Sequence, residues 1–114
     1  MVNKWDIYYC NLDPTVGSEQ RGTRPVLIIS TNSVNHHLPV STVLPISSVK
    51  PGAKIYPTEV FLDPSISGLP KASIAMLQQI RTISHDRLGR FAGSVTDNKA
   101  QDKILSACRD YFDL

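Results

Sequence analysis

Residues 25–30 read PVLIIS and form a short, continuous apolar segment between two polar stretches of the chain. Apolar runs of this length that are rich in β-branched residues and end at turn-forming residues are typical of strands buried on both faces. We therefore predict that this segment is a strand in the interior of the fold.

Four more short strands are predicted on either side of this segment. Prolines recur at near-regular spacing as far as Pro70 and none follows, which favours short strands first and helix last. The predicted strands cover residues 5–12, 40–46, 57–62 and 72–83. Pro45 cannot donate a backbone hydrogen bond, so the strand that contains it is expected at a sheet edge or at a bulge.

The last thirty residues change to a helical pattern. Ser84 and Asp86 resemble a helix start, and the glycines that follow should keep that helix short. Thr96 and Asp97 open a second helix, whose apolar face is formed by Ala100, Ile104, Ala107, Cys108 and Tyr111. Five short antiparallel strands and one docking helix predict a mainly β fold with added helix (α+β), a small curled β-barrel.

Composition and charge exclude several classes of protein. The 114 residues are 41% hydrophobic and 19% charged, which is typical of one globular domain over 1–114 and not of a disordered chain. No apolar run exceeds four residues and no secretory signal is visible, so we expect a cytoplasmic protein without membrane attachment. A net charge of +2 is low for a duplex-DNA binder, but a small anion or a short single strand remains possible.

Cysteine and histidine usage does not indicate a metal site. Cys10 and Cys108 are far apart and fit no metal-ligand spacing, so both are expected as free core thiols. His36 and His37 are adjacent and would point in opposite directions in an extended chain, which argues against a joint acid–base role. His85 is expected at the surface of the short helix.

The polar loop at residues 13–25 is the first candidate site. Loops of this length inside compact domains are uncommon and usually functional. Arg24 precedes Pro25, which favours an extended backbone, and a guanidinium fixed beside a sheet is well suited to a phosphate. The alternative is a surface arginine paired with Glu19 or with a carbonyl oxygen, and the spacing alone does not decide between the two.

Other polar side chains near this loop and after the third strand have open roles. Glu19, one of two glutamates, is a candidate general base or acceptor for a base edge, and a solvated loop carboxylate is the alternative. Ser47 and Ser48 are candidate hydroxyl donors to a phosphate, although serine pairs are also common in turns. No His–Asp pair lies nearby in sequence to activate either serine, so hydrogen bonding is the expected role.

Three segments resemble the MazF/PemK family of toxin endoribonucleases. Residues 12–30, LDPTVGSEQRGTRPVLIIS, closely resemble its amino-terminal motif, and VLPISS at 43–48 is similar to a strand that ends in Pro-x-Thr-Ser. Residues 69–97, LPKASIAMLQQIRTISHDRLGRFAGSVTD, are similar to its Ser-x-x-Leu-x-Gln-x-Arg-Thr-Ile block. The resemblance spans nearly the whole chain and implies an SH3-like barrel of the CcdB/PemK type that forms a two-fold homodimer.

The resemblance also implies an activity and partners. It implies an mRNA interferase of a type II toxin–antitoxin system, which cleaves single-stranded RNA at short sequences without a metal or other cofactor. The ribose 2′-hydroxyl would attack the adjacent phosphorus and leave a cyclic or 3′ phosphate and a 5′-hydroxyl. A cognate antitoxin would place its disordered tail in the RNA groove. A gyrase-inhibiting toxin of the same fold, or a catalytically impaired module that binds RNA or antitoxin, are the alternatives.

Individual residues carry the resemblance to the catalytic site. Arg24 matches the arginine of the Arg-Pro motif, which the family assigns to the scissile phosphate. Ser47 stands at the position of the catalytic threonine; the hydroxyl is kept, and the methyl group that stiffens χ1 is lost. Ser48 matches an adjacent serine that contacts RNA.

Further matches lie in the loop and in the third block. Ser18, Glu19 and Gln20 match the loop that borders the RNA. Gln78 stands where relatives carry Glu or Asp; a glutamine reads a base edge but cannot take a proton, which leaves Glu19 as the best carboxylate base. Gln79, in the Gln-x-Arg-Thr-Ile run, is also expected to contact RNA. Arg81, in the same run, either touches RNA or braces the sheet, and bracing is favoured.

Overall fold

The computed structural model describes residues 1–114 as seven strands, three α-helices and two single 3-10 turns. The elements in chain order are β1 (Asp6–Asn11), β2 (Thr23–Ile28), α1 (Asn32–Asn35), β3 (Val40–Ser48), β4 (Glu59–Leu62), α2 (Pro64–Ser67), β5 (Ser73–Met76), β6 (Arg81–Ser84), β7 (Leu88–Ser94) and α3 (Asn98–Phe112). The 3-10 turns, Leu77–Gln79 and His85–Arg87, join β5 to β6 and β6 to β7. No helix has the length and apolar character that spanning a bilayer requires.

All strand pairs are antiparallel, and the strands follow the order β4-β5-β3-β2-β1-β7, with β6 added beside β3. The terminal strands β4 and β7 do not pair with each other, so the curled sheet remains an open barrel. Helix α2, which follows β4, packs against β7 so closely that a Cβ at Gly93 would collide with the carbonyl oxygen of Ser67. The prediction of a mainly β fold with a C-terminal helix is confirmed.

Strand β2 lies in the interior, as its apolar sequence predicts. Val26 and Ile28 belong to one hydrophobic core, Leu27 belongs to the other, and all three side chains are completely buried. The Leu27 core extends to α3 through Ile104, whereas the Val26 core is closed by Ile83 of β6. Burial of such side chains contributes about 1.5–3 kcal/mol each relative to exposure.

The predicted strand over 72–83 is two strands, because the 3-10 turn Leu77–Gln79 interrupts it and buries Leu77 in the core. The two halves then pair with different parts of β3. Strand β6 pairs with Val40–Val43 and β5 with residues 46–48. Pro45 falls between these two ladders while its register with β2 runs on without a shift, so the prediction of an edge or a bulge is wrong. Neither the β3–β6 ladder nor the β3–β5 ladder includes Pro45, so neither requires a hydrogen bond from its backbone nitrogen.

The short helix predicted after Ser84 is a single 3-10 turn. The hydroxyl of Ser84 accepts a hydrogen bond from the Asp86 N–H at 3.3 Å, so the predicted cap is present. The chain then continues as β7, which pairs with β1 through two register irregularities. This strand is not evident from the local sequence, because two glycines within seven residues conceal the strand pattern.

The C-terminal helix begins where the sequence predicts. Asp97 accepts a hydrogen bond from the N–H of Ala100 at 2.9 Å, which caps α3. Ile104 and Ala107 are buried in the core as expected. Tyr111 is 41% exposed, so its predicted place on the docking face is wrong.

Both cysteines are free, as predicted. Cys10 is buried in the core that contains Val26, whereas Cys108 is only partly buried on α3. Burial raises the pKa of the Cys10 thiol, although Arg81 and Arg87 nearby oppose the shift. The thiol is therefore held in its protonated form and acts as an apolar core group.

Candidate functional site

The loop between β1 and β2 is held by its own hydrogen bonds. Leu12 donates its N–H to the Gly22 carbonyl at 2.9 Å, and the Gly22 N–H donates to Oδ1 of Asp13 at 3.1 Å, which closes the base. Further out, the N–H of Val16 donates to Oε1 of Glu19 at 2.7 Å. These hydrogen bonds within the loop give it a defined shape.

Two residues of the third sequence block attach this loop to the sheet. The N–H of Gln20 donates to Oε1 of Gln79 at 3.0 Å, and Nε2 of Gln79 donates to the Ser18 carbonyl at 3.1 Å. Arg81 donates from Nη1 to the Leu12 carbonyl at 3.0 Å. The bracing role favoured for Arg81 is observed, and the brace is to the loop. The oxygen and the nitrogen of the Gln79 side-chain amide both form hydrogen bonds to the backbone of the loop.

A cleft of about 380 Å³ opens between the loop and the turn that joins β5 to β6. We call it the glutamine cleft; four of the residues predicted to form the site line it, namely Glu19, Gln20, Gln78 and Gln79. Oε1 of Gln20 is buried and has no hydrogen-bond partner. An unpaired buried acceptor is costly, so this atom is a position at which a donor from a ligand would be favoured.

Gln78 is oriented by β4 and the residue before it. Its Oε1 accepts from the Thr58 hydroxyl at 2.9 Å, and its Nε2 donates to Oε2 of Glu59 at 2.8 Å. Oε1 of Glu59 in turn accepts from the N–H of Tyr56 at 3.0 Å. The amide therefore presents one free N–H and one free acceptor lone pair in a fixed direction.

Glu59 is a site neighbour that sequence reasoning missed. It is the second of the two glutamates in the chain, and it lies nineteen positions before Gln78. Only the β4–β5 ladder, which pairs Glu59 with Met76, brings the two side chains together. No local motif signals this contact.

Arg24 and Ser47 lie on the neighbouring strands β2 and β3, just beyond the part of these strands that is paired. The ladder ends at the pair of Val26 with Pro45, and Arg24 and Ser47 each lie two residues further along their strands, on the same side as those residues. Pro45 lines the glutamine cleft, whereas Arg24 and Ser47 do not.

The polar atoms of this pair are only partly engaged within the protein. Nε of Arg24 donates to the carbonyl of Arg21 at 2.9 Å. Glu19, the other partner considered for Arg24, bonds instead to its own loop. The Ser47 hydroxyl reaches only the carbonyl of Ser48 at 3.4 Å. Both Nη groups of Arg24 and the Ser47 hydroxyl therefore remain suited to a ligand.

A second cleft, of about 390 Å³, lies on the other side of Arg24. We call it the basic cleft, because Arg21, Arg24 and Lys71 line it and no Asp or Glu does. Ser48 also lines this cleft. Neighbouring residues of a strand point to opposite faces, so Ser48 faces away from Ser47. Lys71 was not among the predicted site residues. Its positive charge in a turn-rich loop is the only feature of the sequence that could have indicated a role in binding.

A buried serine–histidine pair lies outside both clefts. Ser41 donates its hydroxyl proton to Oδ1 of Asn35 at 2.8 Å and lies 2.8 Å from Nε2 of His85. Because a hydroxyl has one proton, His85 must be the donor to Ser41, so the imidazole does not activate this serine as a nucleophile. His85 is partly buried in this network, and its predicted surface position is wrong. No group of three or more His, Cys, Asp or Glu is placed to hold a metal ion.

Comparisons with known proteins decide the family. Residues 3–112 match the PemK-like, MazF-like toxin of type II toxin–antitoxin systems. This chain belongs to that family. Endoribonuclease EndoA of Bacillus subtilis (strain 168) is 38% identical over 109 residues, which cover 94% of this chain and 90% of the relative. The predicted family is confirmed, and with it the endoribonuclease class of the enzyme.

Solved structures of the family show the same fold. Mycobacterium tuberculosis toxin MazF-mt6 has a TM-score of 0.77 and 29% identity, covering 96% of this chain and 97% of its own. An endoribonuclease from Mycobacterial species, solved in complex with its cognate antitoxin, has a TM-score of 0.80 and 25% identity, covering 100% of this chain and 97% of its own.

Proposed function

We propose that this chain cleaves single-stranded RNA, including mRNA, at specific short sequences and without a metal ion or other cofactor. It would act in the cytoplasm as one toxin domain over 1–114, in a homodimer. The observation that carries this proposal is that Arg24, whose Nη groups have no partner within the protein, lines the basic cleft, while Glu19, Gln20, Gln78 and Gln79 line the glutamine cleft. One cleft has the amides to read bases, and the other has the cations to hold phosphates.

The proposed reaction is an intramolecular transesterification of the phosphodiester. The ribose 2′-oxygen forms a bond to the adjacent phosphorus as its proton passes to a general base of the protein, and the bond from phosphorus to the 5′-oxygen breaks. That oxygen takes up a proton and leaves as a 5′-hydroxyl, while the other fragment keeps a 2′,3′-cyclic phosphate. The free Nη groups of Arg24 stabilise the charge that grows on the non-bridging oxygens. One such fixed donor contributes about 10²–10³ in rate.

Ser47 and Glu19 have the remaining catalytic roles in this proposal. The Ser47 hydroxyl donates a further hydrogen bond to the phosphate, which its single weak internal contact leaves it free to do. Glu19 is the carboxylate that takes the proton from the 2′-hydroxyl. Its Oε1 is used by Val16, so Oε2 is the oxygen that faces the substrate.

The other predicted residues have different roles in this proposal. Gln78 presents a fixed donor and acceptor pair to a base edge, and Gln20, whose buried Oε1 has no partner within the protein, lines the same cleft. Ser48 contacts the backbone from the basic cleft. Ser18 and Gln79 act mainly through the hydrogen bond between them, which helps to set the shape of the loop.

We also propose a cognate antitoxin as a protein partner, whose disordered tail occupies the RNA groove and blocks it. The mycobacterial endoribonuclease solved with its cognate antitoxin supports this partner class. Binding of the antitoxin and of RNA would then be mutually exclusive.

Cleavage in the presence of EDTA tests the proposal. Purified protein is incubated with a long unstructured RNA, and the new 5′ ends are mapped. We expect cuts at one short motif with 5′-hydroxyl ends, lost in Arg24→Ala and kept in Arg109→Ala, which removes an exposed arginine of α3.

Absence of cuts from a folded protein would contradict the proposal. It would favour the gyrase-inhibiting class, or a module impaired by the changes at Ser47 and Gln78. Equal cutting by Arg24→Ala and the unchanged chain would remove Arg24 from the mechanism.

A further inference from the structure

The basic cleft extends beyond the groups that the proposed reaction needs. Arg24 and Ser48 line it, but so do Arg21 and Lys71, both exposed and both without an assigned role. Three cations share this space, and no carboxylate lines it to compensate them. Such a concave, single-sign surface concentrates anions.

A fourth cation lies at the rim of the same surface. The β3–β5 ladder pairs Ser48 with Ser73, and the N–H of Val49 extends it by donating to the carbonyl of Ala72 at 3.0 Å. Lys50 follows Val49 and Lys71 precedes Ala72, and both lysines line an adjoining hollow. Two like charges that line one hollow repel each other, so this arrangement favours an anion between or beside them.

The basic cleft is also joined to the cut site by a fixed contact. The hydrogen bond from Nε of Arg24 to the Arg21 carbonyl holds these two residues together. Arg24, which the proposed reaction places at the scissile phosphate, therefore shares one cleft with Arg21 and Lys71. Consecutive cations along one groove match the consecutive phosphates of a single strand.

We propose that Arg21 and Lys71 bind the phosphodiester that neighbours the scissile one, so that the RNA strand leaves the cut site through the basic cleft. This inference rests on the proposed ribonuclease function. A phosphodiester fits better than an acidic peptide because the surface continues directly from Arg24, and because the arginine fork matches phosphate oxygens. The site would bind any sequence there, since it holds the backbone and no base.

Salt-dependent binding tests this subsite. The probe is an RNA that contains the mapped cut motif, with 2′-deoxyribose before the cut so that the attacking hydroxyl is absent. We expect Lys71→Ala and Arg21→Ala each to weaken binding about tenfold at low salt and to reduce the slope of log K against log salt, and the double variant to reduce that slope by about 0.7, one phosphate contact. Lys71→Arg should keep the slope, and Lys99→Ala, an equal loss of charge on α3, should match the unchanged chain.

Cleavage kinetics give a second readout. Lys71→Ala should raise KM about tenfold with a much smaller fall in kcat than Arg24→Ala, because the contact persists from ground state to transition state. Unchanged slope and KM in both Lys71→Ala and Arg21→Ala, with normal cleavage by the parent chain, would overturn the subsite alone. So would a loss confined to antitoxin affinity, which would assign the cleft to the protein partner. A parent chain that neither binds nor cuts RNA would overturn both proposals.

Discussion

The side-chain amide of Gln79 bonds to the backbone on both sides of Glu19: it accepts from the N–H of Gln20 at 3.0 Å and donates to the carbonyl of Ser18 at 3.1 Å. A residue of the turn between β5 and β6 therefore sets the shape of a loop almost sixty positions earlier in the chain. Glu19 and Gln20 owe their position in the glutamine cleft to this contact.

Gln79→Ala should release the loop while leaving the sheet intact. Loss of two hydrogen bonds should lower the free energy of unfolding by about 1–2 kcal/mol. The amide of Gln20 should exchange with deuterium faster, and RNA cleavage should fall. Gln78→Ala is the matched control, because Gln78 does not contact the loop. Equal exchange rates for Gln20 in the two variants would contradict the clamp.

Ser47 should behave as a hydroxyl donor and not as a packing residue. Ser47→Ala should slow cleavage by about 10²-fold with little change in Tm, because the hydroxyl makes only one weak internal contact. Ser47→Thr should retain activity, since a β-branched side chain suits a strand and keeps the hydroxyl. Single-turnover cleavage measures both variants. Loss of activity in Ser47→Thr would show that the match of this strand to the family motif is wrong.

Gln78→Glu should create a pair of facing carboxylates instead of restoring a simple base. Glu59 lies 2.8 Å from the Gln78 amide nitrogen, so a second carboxylate there would raise the pKa of one of the two. We expect the variant to lose about 0.5 kcal/mol of stability relative to the parent as pH rises through the carboxyl range.

A swapped pair is the control for this experiment. The double variant Glu59→Gln with Gln78→Glu keeps one carboxylate and one amide, so its hydrogen bond reverses and its stability should return. Thermal unfolding over a pH series compares the three proteins. A Gln78→Glu variant whose Tm follows that of the parent at every pH would contradict the facing arrangement.

Gly93→Ala should destabilise the fold by opening the contact between β7 and α2. The added Cβ would collide with the Ser67 carbonyl, which is backbone and cannot turn aside. Overpacking of this kind costs about 1–3 kcal/mol. Gly89→Ala is the control in the same strand, because a Cβ there lies 3.4 Å from the Tyr9 carbonyl, close to an ordinary contact. Chemical denaturation measures both, and equal stabilities would contradict the close approach.

Asp63 should make stability depend on pH in the acid range. Its carboxylate accepts from the hydroxyl and the N–H of Ser65 at 2.6 and 2.9 Å, which lowers the pKa of Asp63 below its ordinary value of 3.8. A carboxyl with a lower pKa when folded stabilises the protein above the unfolded value and loses that contribution as pH falls through the folded value.

Asp63→Asn isolates this contribution, because asparagine also caps helices but does not titrate. The difference in Tm between the parent and the variant should shrink as pH falls below 3.8. A difference that does not change with pH would show that the cap is not ionised in the folded protein.

Local sequence determined several parts of this protein. The apolar composition of residues 25–30 predicts the buried strand, and Asp97 predicts the start of α3, because burial and capping depend on neighbouring residues. The motif around Arg24 predicts the family and the site loop. Strand β7 and the break after Met76 were missed, since pairing with distant strands decided them and not local pattern.

Only the tertiary structure decided how the site residues are used. Gln78 and Gln79 are adjacent in sequence, yet one faces Glu59 and the other clamps the loop, because the 3-10 turn points their side chains to different neighbours. Lys71 comes into the same cleft as Arg24 only through the β3–β5 ladder. Sequence alone specifies which side chains are available, whereas the register between strands distant in the chain decides which of them meet.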